Sequence, residues 1–126
     1  MLDIPRYDDV MRGIMHEIQD CCFPLVESVM ITSDSATAFR DTDYNFLMGI
    51  YPNYPGIKRE EFLQKNASIY RDIGKAMNDA TKRDSKSVVI GNPSNTNALC
   101  LFQQAKDLPA GNITAMSRLG HNQAIC

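Results

Sequence analysis

Short runs of β-branched and apolar residues alternate with longer runs of helical spacing along the whole 126-residue chain. This alternation constrains the fold more than any single motif, because strand, helix and strand in that order close as βαβ units around a parallel sheet. The class it predicts is α/β. Met1–Ile4 reads as the tail of a strand ended by Pro5, and from Asp9 the apolar positions Val10, Met11, Ile14, Met15, Ile18 and Cys22 recur with a helical period until Pro24. Val29–Thr32 is a β-branched strand, and Ser33-Asp34-Ser35 supplies capping side chains for a brief helix over Ala36–Arg40. Tyr44–Gly49 is the next strand. A turn-rich loop, Tyr51–Gly56, leads into a long helix from about Lys58, with Phe62, Leu63, Asn66, Ile69, Tyr70, Ile73, Ala76, Met77 and Ala80 on one stripe. Ser87–Ile90 is a further strand, Gly91-Asn92-Pro93-Ser94 a turn before a helix carrying Leu99, Leu101, Phe102 and Ala105, and Ile113–Ser117 the last strand.

Composition matters here for what it excludes. Thirteen basic against 15 acidic residues leave a net charge of -2, with no basic excess to draw the chain to nucleic acid or an anionic membrane. No apolar run approaches the roughly 18 residues a membrane span needs. Asp3, Arg6, Asp8 and Asp9 do not match the charged head and apolar body of a signal peptide, so a cytoplasmic, reducing location is expected. Cys21, Cys22, Cys100 and Cys126 show no C-x-x-C or Cys/His ligand spacing and read as free thiols, with no metal site. In a parallel sheet, ligands gather beyond the carboxyl ends of the strands. Four segments lie there: Asp3, the Pro-rich loop with Arg59, the turn Gly91–Asn97, and Arg118–Gln123.

Four stretches, in this order, resemble the nucleotide-binding half of the lactate/malate dehydrogenase family, most closely its cytosolic malate dehydrogenase type. They are Leu2-Asp3-Ile4-Pro5, Glu17-Ile18-Gln19-Asp20-Cys21, Gly91-Asn92-Pro93-Ser94-Asn95-Thr96-Asn97 and Ser117-Arg118-Leu119-Gly120-His121-Asn122-Gln123-Ala124. The resemblance spans 1–126 and implies a partial Rossmann-type NAD-binding domain, an NAD cofactor, a dicarboxylate substrate, and a homodimer in the full-length family. The reaction it implies is reversible hydride transfer between NAD and malate or oxaloacetate. Asp3 resembles the acidic residue that accepts hydrogen bonds from the adenosine ribose. Asn92 resembles the asparagine that bonds substrate beside the nicotinamide, with Ile90 and Gly91 offering backbone to the cofactor; an Asn-Pro turn capping a helix would draw the same letters. Asn66 aligns with a family residue near the cofactor, although a polar residue on an apolar stripe is also what a satisfied interior amide looks like. Arg59 matches one of the three arginines with which the family grips its substrate.

The departures point the other way. Discriminating a dicarboxylate needs guanidinium forks, and the positions of the other two hold Asn53, beside Tyr54, and Gln123. Gly120 stands where the family has the Asp that orients its catalytic His, and Ile73 where it often has a cofactor-contacting amide. His121 and His16 read as structural or exposed histidines, so no catalytic residue is assigned. No G-x-x-G-x-x-G or G-x-G-x-x-G occurs to cradle a pyrophosphate. The expectation is therefore an incomplete Rossmann-type sheet without its first βα unit or the catalytic domain, inactive by itself, with its second and fourth strands unpaired or newly paired. The rivals are a non-catalytic binding or scaffold descendant, and an altered 2-oxoacid specificity within a longer chain.

Overall fold

The structure, a computed structural model, describes residues 1–125; the free thiol expected at Cys126 lies outside the described residues. The chain divides into two compact units, Met1–Ala38 and Phe39–Cys126.

The first unit is built on one helix. After a 3-10 turn at Pro5–Tyr7, helix α1 (Asp8–Asp20) opens with Asp8 and Asp9, whose charges suit the positive end of its dipole. It stops before Pro24, with Cys22 in the left-handed region at φ 49°. Cys21 and Cys22 are free and exposed. Of the predicted apolar stripe, Met11 is buried, whereas Val10 and Ile14 stay exposed. The two strands expected over Met1–Ile4 and Val29–Thr32 are reduced to a single parallel bridge, Leu2 to Thr32. Thr32 N donates to Met1 O (3.0 Å), Asp3 N to Thr32 O (3.3 Å), and the terminal amine to Met30 O. The physical reason is burial: parallel ladders are stable when covered on both faces, and Ile4 and Met30 remain 57% and 56% exposed. Helix α2 (Ser35–Phe39) forms where expected, because Asp34 Oδ2 accepts from Thr37 N at 2.7 Å and so caps its first turn.

The second unit contains the sheet. Strands β1 (Tyr44–Leu47), β2 (Lys86–Val89) and β3 (Ile113–Ala115) are all parallel, in the order β1-β2-β3. The crossovers are α3 (Arg59–Ala80) and α4 (Ser94–Gln104), making two consecutive βαβ units, and α5 (Arg118–Ile125) follows β3. Strands β1 and β3 end two residues earlier than the sequence suggests, since the ladder closes at Leu47 opposite Val89 and at Ala115.

Helices α3 and α4 pack on each other, and Tyr70, Met77, Val89 and Leu101 are fully buried. Gly74 permits the approach: a Cβ there would meet Leu101 O at 2.6 Å. The stripe read along α3 is the buried one, with Gly74 as an addition. On α4, Leu99 and Phe102 are exposed while Asn97 and Leu101 are buried. The lower end of the sheet is closed by polar groups. Asn45 Nδ2 donates to Ser85 Oγ (2.8 Å), its Oδ1 accepts from Thr42 Oγ1 (2.9 Å), and Thr42 and Thr81 share a hydrogen bond of 2.7 Å. These groups satisfy each other out of water, as buried polar atoms must. The other face of the strands is open, with Tyr44 and Phe46 exposed. Among the described residues no helix is long and apolar enough to cross a membrane.

Candidate functional site at the carboxyl edge of the sheet

Because all three strands run the same way, their carboxyl ends lie on one edge, and three of the four segments singled out from the sequence follow from it. The first is the connection from Leu47 to Arg59, the second the turn Ile90–Pro93, the third the start of α5.

The first two are locked together through backbone. Ile90 N and Gly91 N both donate to Leu47 O, at 2.9 and 3.1 Å. The Tyr70 hydroxyl, carried up by α3, donates to Leu47 O (3.2 Å) and Gly49 O (3.0 Å). Burial pushes the Tyr70 phenol up to about 12, because a phenolate would have to shed water at a site lined by carbonyl oxygens. Gly91 sits where a Cβ would lie 2.5 Å from Ile50 Cγ2, 2.7 Å from the Tyr70 hydroxyl and 3.0 Å from Gly49 O. A glycine is required there by close approach rather than by backbone angle. Asn97 Nδ2 holds Gly91 O at 2.9 Å, and its fully buried Oδ1 has no partner among the described residues. The Asn92-Pro93 peptide is cis, and Asn92 itself is exposed. Ile90 is half-buried.

Asn66 lies in the same region, reaching the loop after β1. It is fully buried, its Oδ1 accepts from Tyr51 N (3.0 Å) and its Nδ2 donates to Phe62 O (2.8 Å). The loop it holds carries two tyrosines, Tyr51 and Tyr54, with ring centroids 6.2 Å apart and tilted by 55°. Hydrogen bonding to the Tyr51 hydroxyl, and its proximity, raise the Tyr54 phenol above its ordinary value. Lys65 Nζ lies 5.6 Å from the centre of the Tyr51 ring. Tyr54-Pro55-Gly56-Ile57 fits a type II turn, with Ile57 N donating to Tyr54 O (3.2 Å) and Gly56 at φ 94°. Arg59 opens α3, exposed and in no ion pair among the described residues, and Asn53 is also exposed.

At the third segment, Ser117 O accepts from His121 N at 3.1 Å and starts α5. Gly120, His121 and Gln123 are all exposed, and a Cβ on Gly120 would meet nothing within 4 Å. His121 borders an open hollow of about 570 Å³ with Val88, Thr114, Met116, Ser117 and Arg118. Asp3 belongs to the first unit. It is exposed, and its Oδ1 accepts from Ile4 N at 2.7 Å. His16 is exposed on α1. Among the described residues no cluster of His, Cys, Asp or Glu is arranged to hold a metal.

The family model of the lactate/malate dehydrogenase NAD-binding domain matches residues 1–114. The chain belongs to the lactate/malate dehydrogenase family. The structure is similar to malate dehydrogenase from Naegleria fowleri, at 36% identity and a TM-score of 0.93, covering 98% of this chain and 38% of that enzyme. It is similar to lactate dehydrogenase from Trichomonas vaginalis in complex with NADH and oxamate, at 34% identity and a TM-score of 0.89, covering 98% and 37%. An apo, single-residue variant of the Trichomonas enzyme gives 34% identity and a TM-score of 0.91 over the same shares. The chain thus spans under two fifths of the length of these relatives. Its α/β fold is the family's Rossmann-type NAD-binding fold in part, carrying a three-stranded parallel sheet.

Asp3 and Asn92 suit NAD in their chemistry: an exposed carboxylate for ribose hydroxyls and an exposed amide after a strand end. At the same turn the N–H groups of Ile90 and Gly91 are bonded to Leu47 O and Gly91 O accepts from Asn97 Nδ2, so neither N–H is left to donate to a cofactor. Asn66 is buried, its Oδ1 bonded to Tyr51 N and its Nδ2 to Phe62 O, and the 126 residues contain no glycine-rich phosphate turn.

Proposed function

We propose that this chain is part of an enzyme that interconverts malate and oxaloacetate with NAD, and that these 126 residues by themselves are inactive. The observation carrying the reading is the Ile90–Pro93 turn: both amides of Ile90 and Gly91 are tied to Leu47 O, leaving Asn92 exposed at the carboxyl edge of a parallel sheet. When bound, NAD supplies the hydride chemistry. On this reading the Asp3 carboxylate would accept hydrogen bonds from the adenosine ribose hydroxyls, Ile90 and Gly91 would border the nicotinamide, and the Asn92 amide would orient substrate beside it. Arg59, in no ion pair among the described residues, grips a carboxylate of a dicarboxylate substrate with two parallel hydrogen bonds. The complete enzyme on this reading is a cytoplasmic homodimer.

A second reading is an altered 2-oxoacid specificity. It is supported by the uncharged loop: Asn53 and the Tyr51–Tyr54 pair provide neutral groups where a dicarboxylate calls for a second guanidinium.

A graft tests both. Joined to a family first βα unit and catalytic half, the chain should bind NADH, whereas calorimetric titration of the chain alone should show no micromolar dissociation constant, about -8 kcal/mol. The graft should reduce oxaloacetate at least about 30-fold more slowly than a full malate dehydrogenase, because Gln123 leaves a substrate carboxylate without its charged partner. Gly120→Asp, for which space is open, and Gln123→Arg together should recover more than the product of the single recoveries. An unmodified graft equal to a full malate dehydrogenase in kcat/KM for oxaloacetate would overturn the disabling role given to these positions. Faster turnover of an uncharged 2-oxoacid would favour the second reading.

A further inference from the structure

The loop between β1 and α3 leaves the sheet at Leu47 and returns at Arg59, so it could swing about both ends. It is fixed instead by two side chains on α3 one turn apart. Residues four apart face the same way on a helix, and Asn66 and Tyr70 use that spacing to reach successive points on the loop. The Tyr70 hydroxyl takes Gly49 O, and Asn66 Oδ1 takes Tyr51 N. Lys65 Nζ lies 5.6 Å from the centre of the Tyr51 ring, and the Tyr51 and Tyr54 ring centroids are 6.2 Å apart.

We infer that Asn66 is a positioning residue, which orients the Tyr51–Gly56 loop through the Tyr51 amide. Three observations carry this. Asn66 is fully buried, so no ligand reaches it without displacing protein. Its acceptor is used by Tyr51 N and its donor by Phe62 O, so both halves of the amide are committed. Tyr51 N is a loop amide, and pairing it with a side chain from the helix core ties the loop's first residues to a rigid element. The assignment of this loop to the substrate side rests on the function proposed above; the tie itself does not.

Amide hydrogen exchange on the 126-residue chain tests the tie, with Ile90 as internal reference, because its amide bonds Leu47 O independently of Asn66. Asn66→Ala should raise the exchange of Tyr51 relative to Ile90 about tenfold. Ile69→Ala, a half-buried neighbour on the same helix, should destabilise the unit while leaving that ratio within about twofold. Asn66→Asp, which keeps an oxygen acceptor for Tyr51 N, should hold the ratio within about threefold and serves if the alanine variant does not fold. An unchanged ratio in Asn66→Ala, an equal rise in Ile69→Ala, or a rise in Asn66→Asp as large as that expected of alanine would overturn the inference. The readout needs no cofactor or substrate, so a failed NADH titration of the graft bears on the proposed function and leaves this result standing.

Discussion

The two units begin from the same kind of sequence, a short β-branched run beside an amphipathic helix, and end differently. In Met1–Ala38 the strands make one bridge, Met11 is the only buried residue of α1, and Leu25 is 96% exposed. In Phe39–Cys126 three strands pair in register, and four large side chains, Tyr70, Met77, Val89 and Leu101, have no exposed surface. The difference teaches that alternation specifies elements but not a core. A core needs a third strand and a second helix, so that each apolar face has something to cover it.

Breaking the core of the second unit should have the largest effect. Leu101→Ala removes a fully buried side chain between packed helices and should cost about 2–5 kcal/mol. Leu25→Ala, at an exposed site in the first unit, should stay within about 0.5 kcal/mol in the same denaturant titration. Equal losses would erase the contrast.

Alkaline pH should act next, through Tyr70. Its folded pKa of about 12 lies above the ordinary 10, so the folded state holds this proton more tightly than the unfolded chain. The stabilisation is complete below pH 10 and is lost as pH rises from 10 through about 12, amounting to roughly 2–3 kcal/mol. Tyr70→Phe should lower stability at neutral pH by about 1 kcal/mol and remove this part of the alkaline slope. A slope identical in Tyr70→Phe would assign the loss to other groups.

Two glycine substitutions sharpen the comparison with opposite signs. Gly74→Ala drives a Cβ against Leu101 O and should destabilise by about 1–3 kcal/mol, despite alanine's better helix propensity. Gly13→Ala, on α1 with nothing within 4 Å, should stabilise by about 0.5–1 kcal/mol. Circular dichroism melts of both variants check the pair, and a stabilising Gly74→Ala would show that the helices can separate at no cost.

The glycine pair also shows where sequence reading stops. Helix α3 was legible because its apolar stripe repeats over 22 residues, long enough for the helical period to stand apart from a strand's. The turn at Gly91-Asn92-Pro93 was legible from its turn-forming letters. Val29–Thr32 reads equally well as a strand and is not one, because a ladder is a property of two segments and their cover rather than of one run of letters. Asn45 interrupts an apolar run and passes as a polar break. Its position two residues from Leu47 was the available signal that it shares the strand's buried face.

The candidate site divides along the same line. Asp3, Arg59, Ile90, Gly91 and Asn92 were singled out by position after strand ends and by likeness to a family, both properties of linear order. Tyr70's hydroxyl on Gly49 O, the space that only glycine leaves at position 91, and the inward commitment of Asn66 to the Tyr51 amide depend on segments 15 or more residues apart meeting within contact distance. By itself, then, the sequence determined its long helices and turns, its acidic balance, and its family. Only the tertiary structure decided which polar groups face each other, because a hydrogen bond depends on distance and direction in space, and neither is contained in the spacing of residues along the chain.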